Sequence, residues 1–438
     1  MKKLLTSIIS IMLVIFMTFG LTACVAGEVT EDLPTDAEGN TIVKIMFHVD
    51  AKSAEGIAYQ KRIDEFNKAY KDQKIKAQAI FQARTTGASS YEVELQGYLS
   101  EGTLADIITF DAPNTAYYAD SGILYDISDL ISAEEQAQFY SLNKYEGKLY
   151  GLPIQESSAG FYYNKKIFRD AGIDVSGFTA ENPWTFEQFK DVCARLKAHG
   201  VTAVDMRIDA TKDETAPYLL YPFIYAAGGS FTSTDGYTAK GYYDSAETKK
   251  GFQFIKDLID AGYTSYDIGP TDFFTGKVGM YLSSGWTIPD LDNDYKQVFA
   301  TRDDWGLLPY PKDVTAASAT GSWCYGITNN HHPDKTAILE LFKWMTSAES
   351  TKAITNATGM IPARKDVDTN YAPGTPEYTL LKQLELSGKE RPVTVGYPKF
   401  STTFNNIIYG LKEGNVNELV NRAANTLQSE LDALKEYK

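Results

Sequence analysis

The alternation of short apolar runs with helical stripes between residues 42 and 111 constrains this chain more than any other feature. Residues 42–49 read as a buried strand, with Asp50 just beyond its end. Tyr59, Ile63, Phe66 and Tyr70 then recur at helical spacing. Residues 74–81 form a second strand followed by a polar loop at 82–90. Residues 92–99 are helical, and 106–110 make a short apolar strand ending at Asp111. This β-α-β-α-β order predicts an α/β fold with a parallel sheet and helices on both faces. Ligands of such sheets sit beyond the carboxyl ends of the strands. Asp50, Gln82, Arg84, Phe110, Asp111 and Asn114 are therefore candidate cleft residues by position.

Helix signals continue downstream. Ser132 with Glu135, and Thr185 with Gln188 after Pro183, have capping-box spacing. Phe186, Phe189, Cys193 and Leu196 share one helical face. Ala337, Leu341, Trp344 and Met345 form another stripe, and Leu419, Ala423, Leu427, Leu431 and Leu434 a last one. The length is too great for one ordinary core and implies two lobes. A formal charge of −15 lacks the clustered Lys and Arg that nucleic acid requires. The 29 Tyr, 22 Phe and 5 Trp supply flat amphipathic rings of the kind that stack on pyranose faces, although most of them must be core.

The N-terminus carries a different signal. Lys2 and Lys3 precede an apolar run over residues 4–19, which is short for a bilayer span of about 20 residues. Leu21-Thr22-Ala23-Cys24 follows and resembles the lipobox of bacterial lipoproteins. That resemblance implies a signal peptide over 1–23, lipidation of Cys24, and attachment to the extracytoplasmic face of the cell membrane. Residues 24–40, polar and without apolar periodicity, read as a flexible tether spanning on the order of 20 Å.

Several segments together resemble extracellular solute-binding protein family 1, the group that includes maltose-binding proteins. They begin at Gly147-Lys148-Leu149-Tyr150-Gly151-Leu152-Pro153 and continue through Tyr163-Asn164-Lys165, Ala171-Gly172 and the helix start Pro183-Trp184-Thr185-Phe186. Phe274-Thr275-Gly276-Lys277-Val278-Gly279-Met280 with Gly285-Trp286 follows, then 305–311 and 321–361. The resemblance implies a periplasmic-binding-protein-like fold of two α/β lobes, several crossings and a ligand cleft between them. Lobe one is expected at 41–155 plus 311–346, and lobe two at 156–310 plus 347–438. It further implies a monomeric, non-enzymatic component of an ABC transporter that captures a carbohydrate, an oligosaccharide by preference, and hands it to the permease subunits. No cofactor is called for.

On the same resemblance, Trp286 matches a cleft tryptophan, and Ser283 to Gly285 read as a loop beside it. Tyr218 and Tyr221, in Pro217-Tyr218-Leu219-Leu220-Tyr221-Pro222, match a stacking segment, but Ala216 stands where maltose binders place a glutamate. Core tyrosine is the competing reading. Phe110 aligns with a cleft aromatic, Asp111 and Asn114 follow it, and one of Gln155, Glu156 or Ser157 is expected to face ligand. Asp50 fits a polar contact, Trp323 either lines or supports the cleft, and Arg364 reads as a surface residue.

Other patterns carry no chemistry. Asp290, Asp292 and Asp294 open like a calcium loop, but Tyr295 occupies the obligatory glycine position. His48, His199, His331 and His332 fall in no metal-ligand or triad motif. An extracytoplasmic glycosidase would need two carboxyls roughly 5–10 Å apart, which Asp50, Asp111 and Glu156 could supply. A polyamine, metal or phosphate-bearing ligand is the remaining alternative. Cys193 and Cys324 could pair outside the cell, but their helix and strand contexts favour buried free thiols.

Overall fold

The computed structural model describes residues 33–84, 91–209, 213–321, 323–331 and 336–436. Cys24, the signal segment and the start of the tether lie outside the described residues. In chain order the strands are β1 (Thr41–Phe47), β2 (Ile75–Phe81), β3 (Ile107–Asp111), β4 (Asn143–Tyr145), β5 (Lys148–Pro153), β6 (Gln155–Glu156) and β7 (Ala159–Asn164). They continue with β8 (Thr202–Asp205), β9 (Val278–Ser284), β10 (Trp305–Leu308), β11 (Ser318–Ala319), β12 (Trp323–Ile327), β13 (Ile361–Pro362) and β14 (Gly388–Lys389).

The first sheet has the order β2-β1-β3-β12-β5-β4. β1 runs parallel to both β2 and β3, as the alternating pattern predicts, while β12 returns antiparallel between β3 and β5. Side chains alternate across a strand. Val43, Ile45 and Phe47 of β1 enter a core with Tyr59, Ile63 and Phe66 of helix Ala54–Ala69. Met46 points the other way, with Ile108 and Phe110, toward Tyr91 and Leu95 of helix Tyr91–Ser100. Two apolar layers thus cover both faces of one sheet, which completes an α/β lobe.

The second sheet, β10-β7-β9-β8, repeats the logic. Phe161, Met280 and Leu282 face one core with Trp184, Phe189 and Cys193, whereas Tyr162 and Tyr281 face another with Phe273 and Trp305. Helix Phe186–Ala198 starts with the full capping box: Gln188 N–H donates to Thr185 Oγ1 at 3.2 Å, and Thr185 N–H to Gln188 Oε1 at 2.8 Å. At Ser132 only half of that pattern is recorded; its Oγ accepts from Glu135 N at 3.1 Å, over a helix of four residues, Ala133–Gln136. Ser283 and Ser284 are buried in strand β9 rather than in a loop, which starts at Gly285. Cys193 and Cys324 form no disulfide; both thiols are buried, in different cores.

Four expectations change. Residues 33–40 are folded rather than tether-like: Asp36 accepts from Asn40 N at 2.9 Å and pairs with Lys76 at 3.1 Å, and Leu33 packs on the first core. Residues 312–319, expected in lobe one, stay with the second sheet. Lys312 N–H donates to Trp184 O at 2.8 Å, Val314 N–H to Ala226 O at 3.0 Å, and β11 pairs with β14. Helix Ala348–Thr358, expected in lobe two, packs instead on helix Ala54–Ala69 of lobe one. Only Thr346 and Ser347 separate it from helix Thr336–Met345, too short a link to change lobes, and Ser347 caps it at once. Arg364, expected at the surface, is 5% exposed and held by Glu135 and by Asp366 at 2.8 Å.

Arg62 locks the two lobe-one helices together. Its Nε donates to Ser350 Oγ at 2.9 Å, its Nη1 pairs with Glu349 at 2.8 Å, and its guanidinium lies 4.7 Å from the Trp344 ring centre. Arg62→Ala should lower the unfolding free energy by about 2 kcal/mol, the scale of a charged hydrogen bond lost from a buried site. Arg302→Ala, which breaks a half-exposed pairing with Asp292 and Glu377, should lower it by less than about 1 kcal/mol. Urea unfolding measures both, and equal losses would contradict the lock.

Candidate ligand-binding cleft

Three elements converge where the lobes meet. β3 ends at Asp111 at the carboxyl edge of the first sheet. Helix Thr215–Ala226 of lobe two begins just after Glu214, an acidic position that its N-terminal dipole favours. The segment after β14 delivers Arg391 between them. Asp111 holds Arg391 in a two-point grip, Nη2 to Oδ1 at 2.6 Å and Nη1 to Oδ2 at 2.8 Å. Glu214 Oε1 accepts from Nη1 at 2.8 Å and also takes the Tyr397 hydroxyl, while its Oε2 accepts from Ser401 at 2.7 Å. Arg391 is 5% exposed. Burial alone would lower its pKa, but Asp111, Tyr397 and Glu214 outweigh burial and hold the guanidinium firmly charged. Burial raises the Glu214 carboxyl, against the pull of Arg391.

Aromatic rings stand over this network. The Arg391 guanidinium lies 5.3 Å from the Tyr218 ring centre. Tyr218 donates its hydroxyl to Ser157 O at 3.1 Å, and burial pushes its pKa up to about 12. Trp286 sits 5.9 Å from Tyr218 at an interplanar angle of 42° and remains 41% exposed. It directly follows Gly285, where a Cβ would come within 2.7 Å of Gly359 O. The loop is thus pressed against the end of helix Ala348–Thr358 while the indole stays open to solvent. Asp111, Ser157, Tyr218 and Trp286, all anticipated from sequence, are brought together here.

Other anticipated residues go elsewhere. Phe110 is 1% exposed and packs edge-on to Tyr118, because strand parity sends it into the core with Ile108. Tyr221 is fully buried, takes the Thr320 N–H at 2.9 Å and donates to Lys389 O, so it ties crossing segments together. Trp323 is half-buried, with His48 stacked on it at 3.5 Å and Arg84 4.9 Å from its ring centre, so His48 already occupies a stacking face. Asp50 is exposed and binds Lys52 N–H in its own turn at 2.7 Å. Asn114 is buried in the turn that follows Asp111. Gln155 accepts from Thr358 Oγ1 at 3.2 Å. Glu156 is fully buried, accepting from Ser141 and from Thr320 Oγ1 at 2.9 Å in the β6–β13 pairing between crossings.

Sequence reasoning missed Arg391, Glu214 and Tyr397. Arg391 sits in no periodic pattern and gave no signal. Glu214 had one, an acid directly before an apolar helix and two positions ahead of Ala216. Arg391 lines a small cavity of about 40 Å³ with Thr115, Ser141, Asn143, Lys144 and Glu390. A separate cavity of about 260 Å³, beside Tyr117, Lys399 and Glu430, contains none of the network residues.

Residues 61–383 match the family described as bacterial extracellular solute-binding protein. Among curated relatives, a Brucella abortus (strain 2308) protein named only as a binding protein is 24% identical over 330 residues, covering 72% of this chain and 76% of its own. The sn-glycerol-3-phosphate-binding periplasmic protein UgpB of Escherichia coli K12 is 23% identical over 260 residues, covering 57% and 56%. Among solved structures, the cyclic alpha-maltosyl-1,6-maltose binding protein of Arthrobacter globiformis superposes with a TM-score of 0.74 at 22% identity, covering 90% of this chain and 100% of that one. The fold is that of two-lobed binding proteins, and the chain belongs to the bacterial extracellular solute-binding protein family.

Burial raises the Glu156 carboxyl from its ordinary value of 4.5 to about 7. Between these values the folded chain keeps a proton that the unfolded chain has released, so stability falls as pH rises from about 4.5 to about 7. Glu156→Gln mimics the protonated form and removes that loss. In urea melts the variant should gain on the parent between pH 5 and pH 8; parallel curves would contradict the assignment.

Proposed function

We propose that this family member is the capture component of an ABC importer, taking a carbohydrate between its lobes and presenting it to the permease. The observation that carries the reading is the pairing of an open indole, Trp286, with the Tyr218 ring above a hydrogen-bonding floor of Asp111, Ser157 and Arg391. Aromatic faces suit the C–H surfaces of a sugar, and charged groups bind hydroxyls more strongly than neutral ones. The sugar-binding protein with the same fold supports this choice. A phosphate-bearing solute is the second reading, favoured by the glycerol-phosphate-binding relative. An enzymatic role is disfavoured because Asp111 and Glu214 both grip Arg391, leaving neither poised to protonate a glycosidic oxygen.

In this reading lobe one comprises the β1–β5 region with β12 and the helices to about residue 365, and lobe two the remainder. The chain crosses after Pro153, between Ala319 and Trp323, and after Arg364. Ligand draws the lobes together by touching both, shifting an existing open–closed equilibrium. The protein acts as a monomer outside the cell, held at the membrane by lipid on Cys24. Among the described residues no helix is long and apolar enough to cross a membrane.

Calorimetry of the soluble domain against a saccharide panel tests the ligand class. At least one sugar should bind, and Trp286→Ala should weaken it tenfold or more, about 1.4 kcal/mol. Tight binding of a non-sugar with silence from every saccharide would overturn the carbohydrate reading. Cys24→Ser should move the expressed protein from the detergent phase to the aqueous phase on phase partition; retention with the membrane would overturn the anchor.

A further inference from the structure

We propose that the Asp111–Arg391–Glu214 network is a charge filter: it selects an uncharged, polyhydroxylated solute and rejects phosphorylated ones. This rests on the reading of the cleft as the solute site and sharpens which solutes it admits. An anion site needs a cation, or a set of N–H donors, whose charge is not already met. Among the described residues Arg391 is the buried cation of this cleft, and its charge is met twice over, by both oxygens of Asp111 and by Glu214. Glu214 is fixed in turn by Tyr397 and Ser401, so it cannot yield its place without losing those bonds.

Neighbouring charges do not reverse the balance. Glu92 is close enough to feel Asp111 and Glu214 as repulsion and Arg84 as attraction. Counting Asp111, Glu214, Glu92 and Glu390 against Arg391, Arg84 and Lys144 among the described residues, the carboxylates are in excess. If Glu92 carries a proton, the group is neutral and still offers an anion no surplus positive charge. Arg84 itself is exposed, with its guanidinium 4.9 Å from the Trp323 ring centre. A cationic solute gains little either, because the carboxylates are already engaged. The Arg391 Nε–H is different. It is buried and has no hydrogen-bond partner among the described residues. A neutral acceptor such as a sugar hydroxyl can satisfy it without disturbing either carboxylate.

The test is calorimetry with inorganic phosphate, sn-glycerol 3-phosphate and spermidine beside maltose, maltotriose and tagatose, on the soluble parent and on Asp111→Asn. The parent should bind none of the three charged probes below 1 mM. Asp111→Asn, which strips one carboxylate from Arg391, should raise the affinity for sn-glycerol 3-phosphate at least tenfold. Sub-millimolar binding of any charged probe to the parent overturns the filter. So does a folded Asp111→Asn protein with no gain, folding being checked by circular dichroism. If that variant does not fold, Glu214→Gln carries the same expectation. If neither the sugars nor the charged probes bind the parent while the variant gains phosphate affinity, the filter stands and the carbohydrate reading fails.

Discussion

A guanidinium buried away from water is stable only where carboxylates surround it, and this requirement organises the meeting of the two lobes. Arg391 arrives on the irregular segment after β14, Asp111 comes from the carboxyl end of β3 in the first sheet, and Glu214 from a helix start beside the second. Removing either acid would leave a buried charge short of a partner, a loss far larger than that of a surface pair. The network is therefore less a source of net stability than a statement of geometry.

The surrounding fold makes that geometry repeatable. In each lobe, apolar side chains alternate across the central strands into two cores, so the strands are clamped from both sides and their ends are fixed in space. The crossings are stitched by short contacts: β6 to β13, β11 to β14, and Tyr221 receiving Thr320 while donating to Lys389. Glu156 lies within this stitching, buried with hydroxyl donors on either side. Rigid lobes and a narrow seam are what hinge closure requires.

Most of this architecture was legible in the residues. The β-α-β-α-β alternation sets the parallel core of the first sheet, and the helical stripes at Phe186 and Leu427 bury the faces they predict. The errors have physical causes. Phe110 was assigned to the cleft by alignment, yet strand parity puts it with Ile108 in the core. Helix Ala348–Thr358 stays with lobe one because the two-residue turn before it is too short to cross, and residues 312–319 stay with the second sheet through their contacts with Trp184, Ala226 and β14. Arg391 has no local signature because a long-range ion pair leaves no period, whereas Asp111 is marked by the strand end it occupies. Trp286 stood out through its loop, although that loop is shorter than its serines implied.

The two thiols have a kinetic meaning. Cys193 lies on a helix in one lobe and Cys324 on a strand in the other, each fully enclosed, and burial raises both far from the reactive thiolate. A reagent in bulk water can reach either sulfur only when the lobe around it opens. Their separate rates of modification therefore time the opening of each lobe independently, with no label added. An oxidising exterior reads the same two rates as the lifetime of the fold.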